Sequence, residues 1–180
     1  MLHALAEHGY EGASTQRIAH AAGLTPGLIH YHFASKQEIL LALVELLAQR
    51  ARDRVERRRA GAQGGREHLH AFLDAMLQAG TRADPEAVAA WVSITAEAIR
   101  DPKVARAVRA VLASWQVELQ RLCAPLASER RAAAKAAAAL VAFVQGCFVQ
   151  AAVAPDSIPR GSAAPAARAL ADALLSRARA

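Results

Sequence analysis

The residues best suited to chemistry lie in one short stretch, GLTPGLIHYHFASK, residues 23 to 36. Gly27 lets a backbone approach another surface closely because it has no side chain. Lys36 stands at the start of a predicted helix, where an ammonium beside free N–H groups can hold a phosphate. Both residues destabilise the helices that contain them. Glycine costs up to about 1 kcal/mol in helix propensity, and lysine places a positive charge at the positive end of the helix dipole. Such local costs indicate a function, and the residues suit a helix that enters the DNA major groove.

Each of these residues also has a simpler interpretation. Gly27 can ease a tight corner between two helices, and Lys36 can be a solvated surface cation. Because Gly27 and Lys36 occur together, with helix caps spaced around them, we favour the DNA interpretation. Thr15 and Lys36 would then contact phosphates on either side of the groove.

Two histidine pairs, His30 with His32 and His68 with His70, resemble metal ligands. Residues two apart on a helix point to nearly opposite faces, and no third ligand stands at a useful spacing. The sequence also contains no nucleophile elbow, glycine-rich phosphate loop or HExxH motif. We therefore expect no metal, no cofactor and no enzymatic activity.

The bulk composition describes a chain that can bury a core. Its 180 residues are 54% hydrophobic, with a net charge of +6 that favours an anionic partner only weakly. The most apolar run, residues 132–153, is interrupted by Lys135, Gln145 and Gln150, so we predict a buried helix and no membrane span. With no signal peptide and two cysteines in apolar helical patterns, we expect a soluble, cytoplasmic protein with reduced thiols.

Apolar residues recur at spacings of three and four along the whole chain, which predicts an all-α fold of about nine helices. Helix starts are predicted at Ser14-Thr15, Thr25-Pro26, Ser35, Asp84-Pro85 and Asp101-Pro102, and Ser128 can cap another helix. The first helix is expected to end at Gly9. At Ser35, a capping box predicts that Glu38 reaches back to the serine's own N–H.

The first 36 residues have the pattern of a helix-turn-helix unit, with Gly23 at its second corner. Its third helix has about seven residues, which is too short to be stable alone in water. We expect Leu24, Ile29 and Phe33 to pack it on the first two helices, leaving its other face free. The long helix after Ser35 continues to about residue 60, where the glycine-rich segment 60–65 marks a break.

Residues 5–47 resemble the DNA-binding domain of the TetR family of bacterial transcriptional regulators, motif by motif. The GYEGAS corner, IAHAAGL, GLIHYHF and the SKQEIL helix start stand in the expected order. AAWVSITAEAIRDPKVARAVRAVLASWQ more loosely resembles the subgroup that includes the choline-responsive regulator BetI. The resemblance implies an N-terminal DNA-binding domain over 1–47 and a helical regulatory and dimerisation domain over 48–180.

The resemblance also implies a homodimer that binds a palindromic double-stranded DNA operator and is released by a small molecule. By position, Thr15 and Gln16 would meet the DNA backbone and a base edge, and Thr25 would cap the recognition helix and touch the backbone. The residues expected to face bases are Pro26, Gly27, Leu28 and His30, and those expected on phosphates are Tyr31, His32 and Lys36. His30 stands where the family often has tyrosine, and the chain begins late in the family's first helix.

Two further sites are expected in the C-terminal part. Apolar residues that can line an effector cavity, or alternatively form plain core, are Phe72, Met76, Trp91, Thr95 and Trp115. A helix that is apolar nearly all round predicts pairing with a second copy. The predicted dimer residues are Phe143, Gly146, Cys147, Phe148, Leu170 and Leu174.

The arginine run 50–59 is interpreted as a solvated helix face with Asp53–Arg57 and Glu56–Arg59 pairs, and an extra DNA contact is the alternative. Five of seven histidines lie in residues 1–36, so operator affinity is hypothesised to rise as the pH falls through about 6.5. The rival is a helical small-molecule-binding dimer that lost DNA binding through a shortened first helix.

Overall fold

The computed structural model describes residues 1–77 and 84–176. Within these ranges the chain forms nine helices and no strand, so the predicted all-α fold is confirmed. In chain order the helices are α1 (Leu2–Gly12), α2 (Thr15–Ala21), α3 (Pro26–His32), α4 (Lys36–Arg59), α5 (Gly65–Leu77), α6 (Pro85–Glu97), α7 (Pro102–Cys123), α8 (Arg130–Val153) and α9 (Ala163–Ser176).

The predicted helix starts are confirmed where a serine, threonine or aspartate precedes the helix. The Ser14, Thr25 and Ser35 hydroxyls accept from the N–H three residues on, and so does a carboxylate oxygen of Asp84. Asp101 accepts from the N–H groups of Lys103 and Val104. Each bond satisfies a donor that would otherwise lack a partner in the first turn.

The predicted end of the first helix at Gly9 coincides with a break, because the Gly9 backbone leaves the helix with φ +63°, and a further turn to Gly12 follows it within α1. Two other local predictions were wrong by one residue. The Glu38 carboxylate accepts from the N–H of Ala34 at 2.8 Å, one residue before the predicted donor. α8 begins after Glu129, not Ser128, and Glu129 makes no side-chain cap bond.

α4 connects the two ends of the molecule. Its 24 residues span about 36 Å, and its buried stripe packs against α5, α6 and α7. At the N-terminal end, α1 packs on α6, and Lys36 at the start of α4 bonds to Tyr10 of α1.

α8 packs against α6, α7 and α9, and it contains the residues of the apolar run. Among the described residues it is the one helix whose length and composition would suffice to cross a membrane, a property that buried helices of soluble proteins share.

Cys123 and Cys147 are free and buried, and burial raises the pKa of the Cys123 thiol to about 11.

Candidate nucleic-acid interface and effector cavity

The corner between α2 and α3 is closed by backbone hydrogen bonds. Gly23 has φ +67°, its N–H donates to the carbonyl of His20, and the N–H of Leu24 donates to the carbonyl of Ala19 at 2.9 Å. This pattern is a Schellman motif, in which a left-handed glycine ends one helix and redirects the chain. The turn therefore fixes where α3 begins.

α3 is held to the unit by its N-terminal cap and by its inner face. The Thr25 hydroxyl accepts from the N–H of Leu28 at 3.3 Å, and Pro26 fills the first helical position. Ile29 is buried and Phe33 is half-buried against the core. The expectation for Leu24 was wrong, because its side chain is 42% exposed.

The outer face of α3 lies open to solvent. Tyr31 is 83% exposed and Leu28 is 42% exposed. The other exposed residues of the predicted DNA-binding set are Gln16, Thr25, Pro26, Gly27, His30 and His32. Thr15 at the start of α2 is half-buried. The structure thus brings the predicted residues of α2 and α3 together at one end of the molecule.

Gly27 stands in open space. A Cβ atom built on its backbone would have no heavy atom within 4 Å, and its φ is not in the left-handed region. The packing of the chain therefore does not require glycine here, which removes the interpretation that Gly27 eases a helix–helix corner. What remains is a helix surface without a side chain at the centre of the exposed face.

The Lys36 ammonium already has partners within the chain, which corrects the interpretation of Lys36 as a freely solvated cation. Its Nζ donates to the carbonyl of Tyr10 at 2.7 Å and lies 4.1 Å from the centre of the Tyr10 ring. Arg17 behaves similarly, donating from Nη1 to the carbonyl of Gly12 at 2.8 Å. Both cations thus neutralise carbonyls near the end of α1, which supplies the local compensation that the sequence did not reveal.

The helix-turn-helix unit is tied to the following helices by polar contacts. His3 Nδ1 lies 3.0 Å from Glu86 of α6, and Nε2 lies 3.2 Å from Glu7. The hydrogen bond to Glu86, and then the charge of Glu7, raise the pKa of His3. Gln37 donates to Asp101 at the start of α7, and that bond is the main reason why the pKa of Asp101 is lowered.

A small cavity of about 40 Å³ lies between α4, α5, α6, α7 and α8. Trp91, Trp115 and Phe148 form its aromatic wall, with ring centres 5.5 Å apart for the two tryptophans and 6.4 Å apart for Trp115 and Phe148. The Trp91 Nε1 donates to Gln145 at 3.0 Å, so the tryptophan's one donor is satisfied. The remaining lining residues are Leu47, Ala48, Ala51, Arg54, Met76, Asp84, Ala87 and Val88.

A second cavity of about 300 Å³ adjoins the first and shares Ala51, Met76 and Trp115 with it. Phe72 lines this larger cavity. Four of the five predicted effector residues are therefore both buried core and cavity wall. The fifth, Thr95, is half-buried, and its hydroxyl donates to the carbonyl of Val92.

The arginine run on α4 does not form the predicted pairs. Arg59 pairs with Glu118 of α7 at 2.7 Å, and Asp53 accepts from Gln49. Arg58 lies 3.5 Å from the buried Asp74, which also pairs with Arg168. Glu118 and Asp74 lie 59 and 16 positions from their arginines, so a rule for neighbouring helical positions could not find them. Gln49 is a neighbour of Asp53 at the i, i+4 spacing, but it takes the place of the predicted Arg57.

Arg54 and Phe148 are cavity residues that the sequence analysis missed in that role. A signal for Arg54 was present: it stands seven residues after Leu47, so it shares a face with the buried stripe of α4. Phe148 was assigned to the dimer interface because α8 is apolar on most sides, and the pattern did not reveal which side faces the core.

The predicted dimer residues divide into two groups. Cys147 and Phe148 are buried within their own chain, at 6% and 5% exposure, which leaves little of their side chains for contact with a second chain. Gly146 is exposed, and Phe143, Leu170 and Leu174 are half-buried. Around Gly146, one face of α8 is apolar and exposed through Ala138, Ala142, Val149 and Val153.

An all-helical chain with a helix-turn-helix corner at one end, packed on a larger helical body, has the architecture of the helix-turn-helix regulators. Two family profiles place the chain within that class. The profile described as bacterial regulatory proteins, tetR family, matches residues 2–43, and that of the BetI-type transcriptional repressor C-terminal region matches residues 65–176. The chain belongs to the TetR family of transcriptional regulators, which confirms the resemblance.

Known proteins agree with this assignment. The HTH-type transcriptional regulator BetI of Rhizobium meliloti is 31% identical over 153 residues, covering 83% of this chain and 72% of the relative. A transcriptional regulator from Rhodococcus sp. Rha1 has the same fold, with a TM-score of 0.86 at 23% identity over 99% of this chain and 94% of that one. A putative transcriptional regulator from Saccharomonospora viridis, solved in complex with choline, has a TM-score of 0.76 at 20% identity and covers 97% of this chain and 91% of that one.

Proposed function

We propose that the protein is a homodimeric, ligand-responsive repressor that binds a palindromic DNA operator. Residues 1–47 would contact DNA, and 48–180 would hold the effector and the second subunit. As a bacterial regulator of this family it would act in the cytoplasm, where the DNA is. The single observation that carries the proposal is the open space over Gly27 at the centre of an exposed, capped helix.

The proposed DNA contacts follow the exposure of α2 and α3. Pro26, Gly27, Leu28 and His30 would face base edges, because they lie on or beside the face that the core leaves free. Thr15, Tyr31 and His32 would contact phosphates and fix the orientation. Lys36 would join them after its ammonium exchanges the carbonyl of Tyr10 for a phosphate.

The proposed dimer uses the exposed apolar face of α8, with Gly146 allowing close approach and α9 alongside. A Cβ built on Gly146 would have open space, so only an outside surface gives this glycine a packing role. In a two-fold dimer the two α3 helices would lie about 34 to 36 Å apart, or a multiple of that distance.

The proposed switch uses the two helices that touch both ends of the molecule. α4 carries Ala51 in the cavity wall and begins beside the helix-turn-helix unit, while α6 carries Val88 and Trp91 in the wall and packs on α1. A ligand that enlarges the small cavity would displace these walls and change the separation of the α3 helices. Operator binding would weaken as a result.

One observation favours the rival, a dimeric small-molecule binder without DNA affinity. Arg17 and Lys36, which only balance Glu7 and Glu11 in residues 1–36, both donate to carbonyls of α1. A binding selection from random duplex DNA, followed by a salt titration on the selected sequence, separates the two functions. The repressor predicts a palindrome and a steep loss of affinity with salt, whereas the rival predicts no enrichment.

A further inference from the structure

Arg54 is the one basic residue among the described residues that line the small cavity. Its Nε is fully buried and has no hydrogen-bond partner. Burial is the main reason why the pKa of this guanidinium is lowered from its usual value. A buried donor without an acceptor costs stability, so a retained one indicates a partner that the folded chain itself does not supply.

The carboxylate in the same cavity does not satisfy Arg54. One oxygen of Asp84 caps α6 by accepting from the N–H of Ala87 at 3.0 Å, and the other lies 3.8 Å from Arg50. Within the described ranges, Arg54 itself forms no ion pair within 4.0 Å. Arg50 and Arg57 on the same helix add further positive charge, against the single negative charge of Asp84.

The other walls offer apolar surface. Trp91, Trp115 and Phe148 present aromatic rings, and the Trp91 N–H is already bonded to Gln145. Met76, which also borders the larger cavity, is an unbranched side chain that can change its rotamer to make room. The site therefore combines one unsatisfied cation with an aromatic wall that can enlarge.

We propose that the effector is a small organic anion, a monocarboxylate with a short aliphatic or aromatic body. Its carboxylate pairs with the Arg54 guanidinium, and its body packs against Trp91, Trp115 and Phe148. This inference rests on the proposed function, because it names the ligand class of the proposed effector cavity. A choline-like cation is disfavoured, because the arginines would repel it at the same aromatic rings.

The test compares acids with neutral molecules of the same shape on the full-length protein. Isothermal titration calorimetry measures butyrate against butyramide, benzoate against benzamide, and choline as the cation. We expect at least one acid to bind about 10- to 100-fold more tightly than its amide. Equal binding of acid and amide, binding of choline alone, or binding of no acid would each overturn the inference.

Substitutions then locate the binding. Arg54→Gln should abolish the preference for the acid, whereas the control Arg57→Gln, from the exposed side of the same helix, should keep it. An unchanged preference in Arg54→Gln contradicts the proposal. If that variant does not fold, Arg54→Lys replaces it and should retain a weaker preference, since it keeps the charge but loses the planar guanidinium.

The same samples distinguish this inference from the proposed function. Calorimetry with ligand alone does not depend on DNA, and operator binding is measured separately by fluorescence anisotropy. Operator binding that responds to choline but to no acid leaves the repressor proposal standing and refutes the anion. Acid binding at Arg54 without any operator binding would support the anionic ligand and refute the repressor proposal.

Discussion

The outer face of α3 is open to solvent, whereas most side chains around the small cavity are buried. On α3, Tyr31 is 83% exposed and Gly27 has open space above it. In the cavity, Trp91 is 5% exposed and Met76 is 1% exposed. The α3 face is an open surface, whereas the small cavity has room for little more than a few water molecules.

This difference assigns the two regions different physical roles. The α3 face is held by a turn and a cap, so it can bind by docking without rearranging. The cavity is far smaller than the roughly 300 Å³ at which ligand pockets begin, so any larger ligand must displace its walls. Since α4 and α6 are walls of the cavity and neighbours of the helix-turn-helix unit, binding in one region is expected to move the other.

The largest effect is expected from opening the cavity wall. Trp115→Ala should lower the free energy of unfolding by about 3–5 kcal/mol, because it removes a buried ring that contacts two others. Urea denaturation measures this change. The matched variant on α3, Tyr31→Ala, should change stability by less than about 0.5 kcal/mol; similar losses in both variants would erase the contrast between the regions.

A side chain placed over α3 should have the reverse profile. Gly27→Leu is expected to weaken operator binding roughly 100-fold, about 2.7 kcal/mol, by holding the helix away from the groove. Its stability should stay equal or increase, since leucine has a better helix propensity than glycine. Fluorescence anisotropy gives the affinity, and Gly61→Leu, a glycine with equal open space, is the control that should bind normally.

Lys36→Met sharpens the comparison by asking whether this ammonium serves the fold or the DNA. We expect affinity to fall for all sequences alike and the slope of log affinity against log salt to decrease by about 0.9, the amount for one phosphate. A salt titration of both proteins provides the slope. An unchanged slope together with lower stability would assign Lys36 to the Tyr10 carbonyl alone.

The smallest effect concerns the contact between α1 and α6. The pKa of His3 is raised by Glu86 and Glu7, so protonated His3 stabilises the folded state. That contribution is complete below the unfolded pKa of about 6.5 and is lost as the pH rises through the folded value. The difference in melting temperature between wild type and His3→Gln should therefore shrink from pH 6 to pH 8.5, and a constant difference would contradict the contact.

The sequence predicted what local chemistry determines. Helix starts were predicted correctly at four capping residues, because a cap bonds to an N–H only two or three residues away. These caps are Ser14, Thr25, Asp84 and Asp101. Periodicity likewise gave the fold class and the exposed face of α3. Leu24 departs from the same reasoning, because its side chain is 42% exposed.

What the sequence could not predict depends on contacts between distant segments. Lys36 bonds to Tyr10, 26 positions earlier, so its charge looked uncompensated. On α8, a helix apolar on most sides gave no indication that Cys147 and Phe148 face inward while Gly146 faces outward. In such cases the sequence pattern indicates that a residue is polar or apolar, but only the packing of distant segments determines which residues it contacts.

The central claim is that two copies of the face around Gly27 enter the major groove. Dimethyl sulfate protection on the selected operator tests it most directly, because the guanine N7 atoms it reports lie in that groove. We predict two protected sets, centred about 10 to 10.5 base pairs apart or a multiple of that spacing, and both should be absent with Gly27→Leu at the lowest concentration at which the wild type protects them. Protection by the folded Gly27→Leu protein at that same concentration, or binding of the wild type without any N7 protection, would contradict the claim.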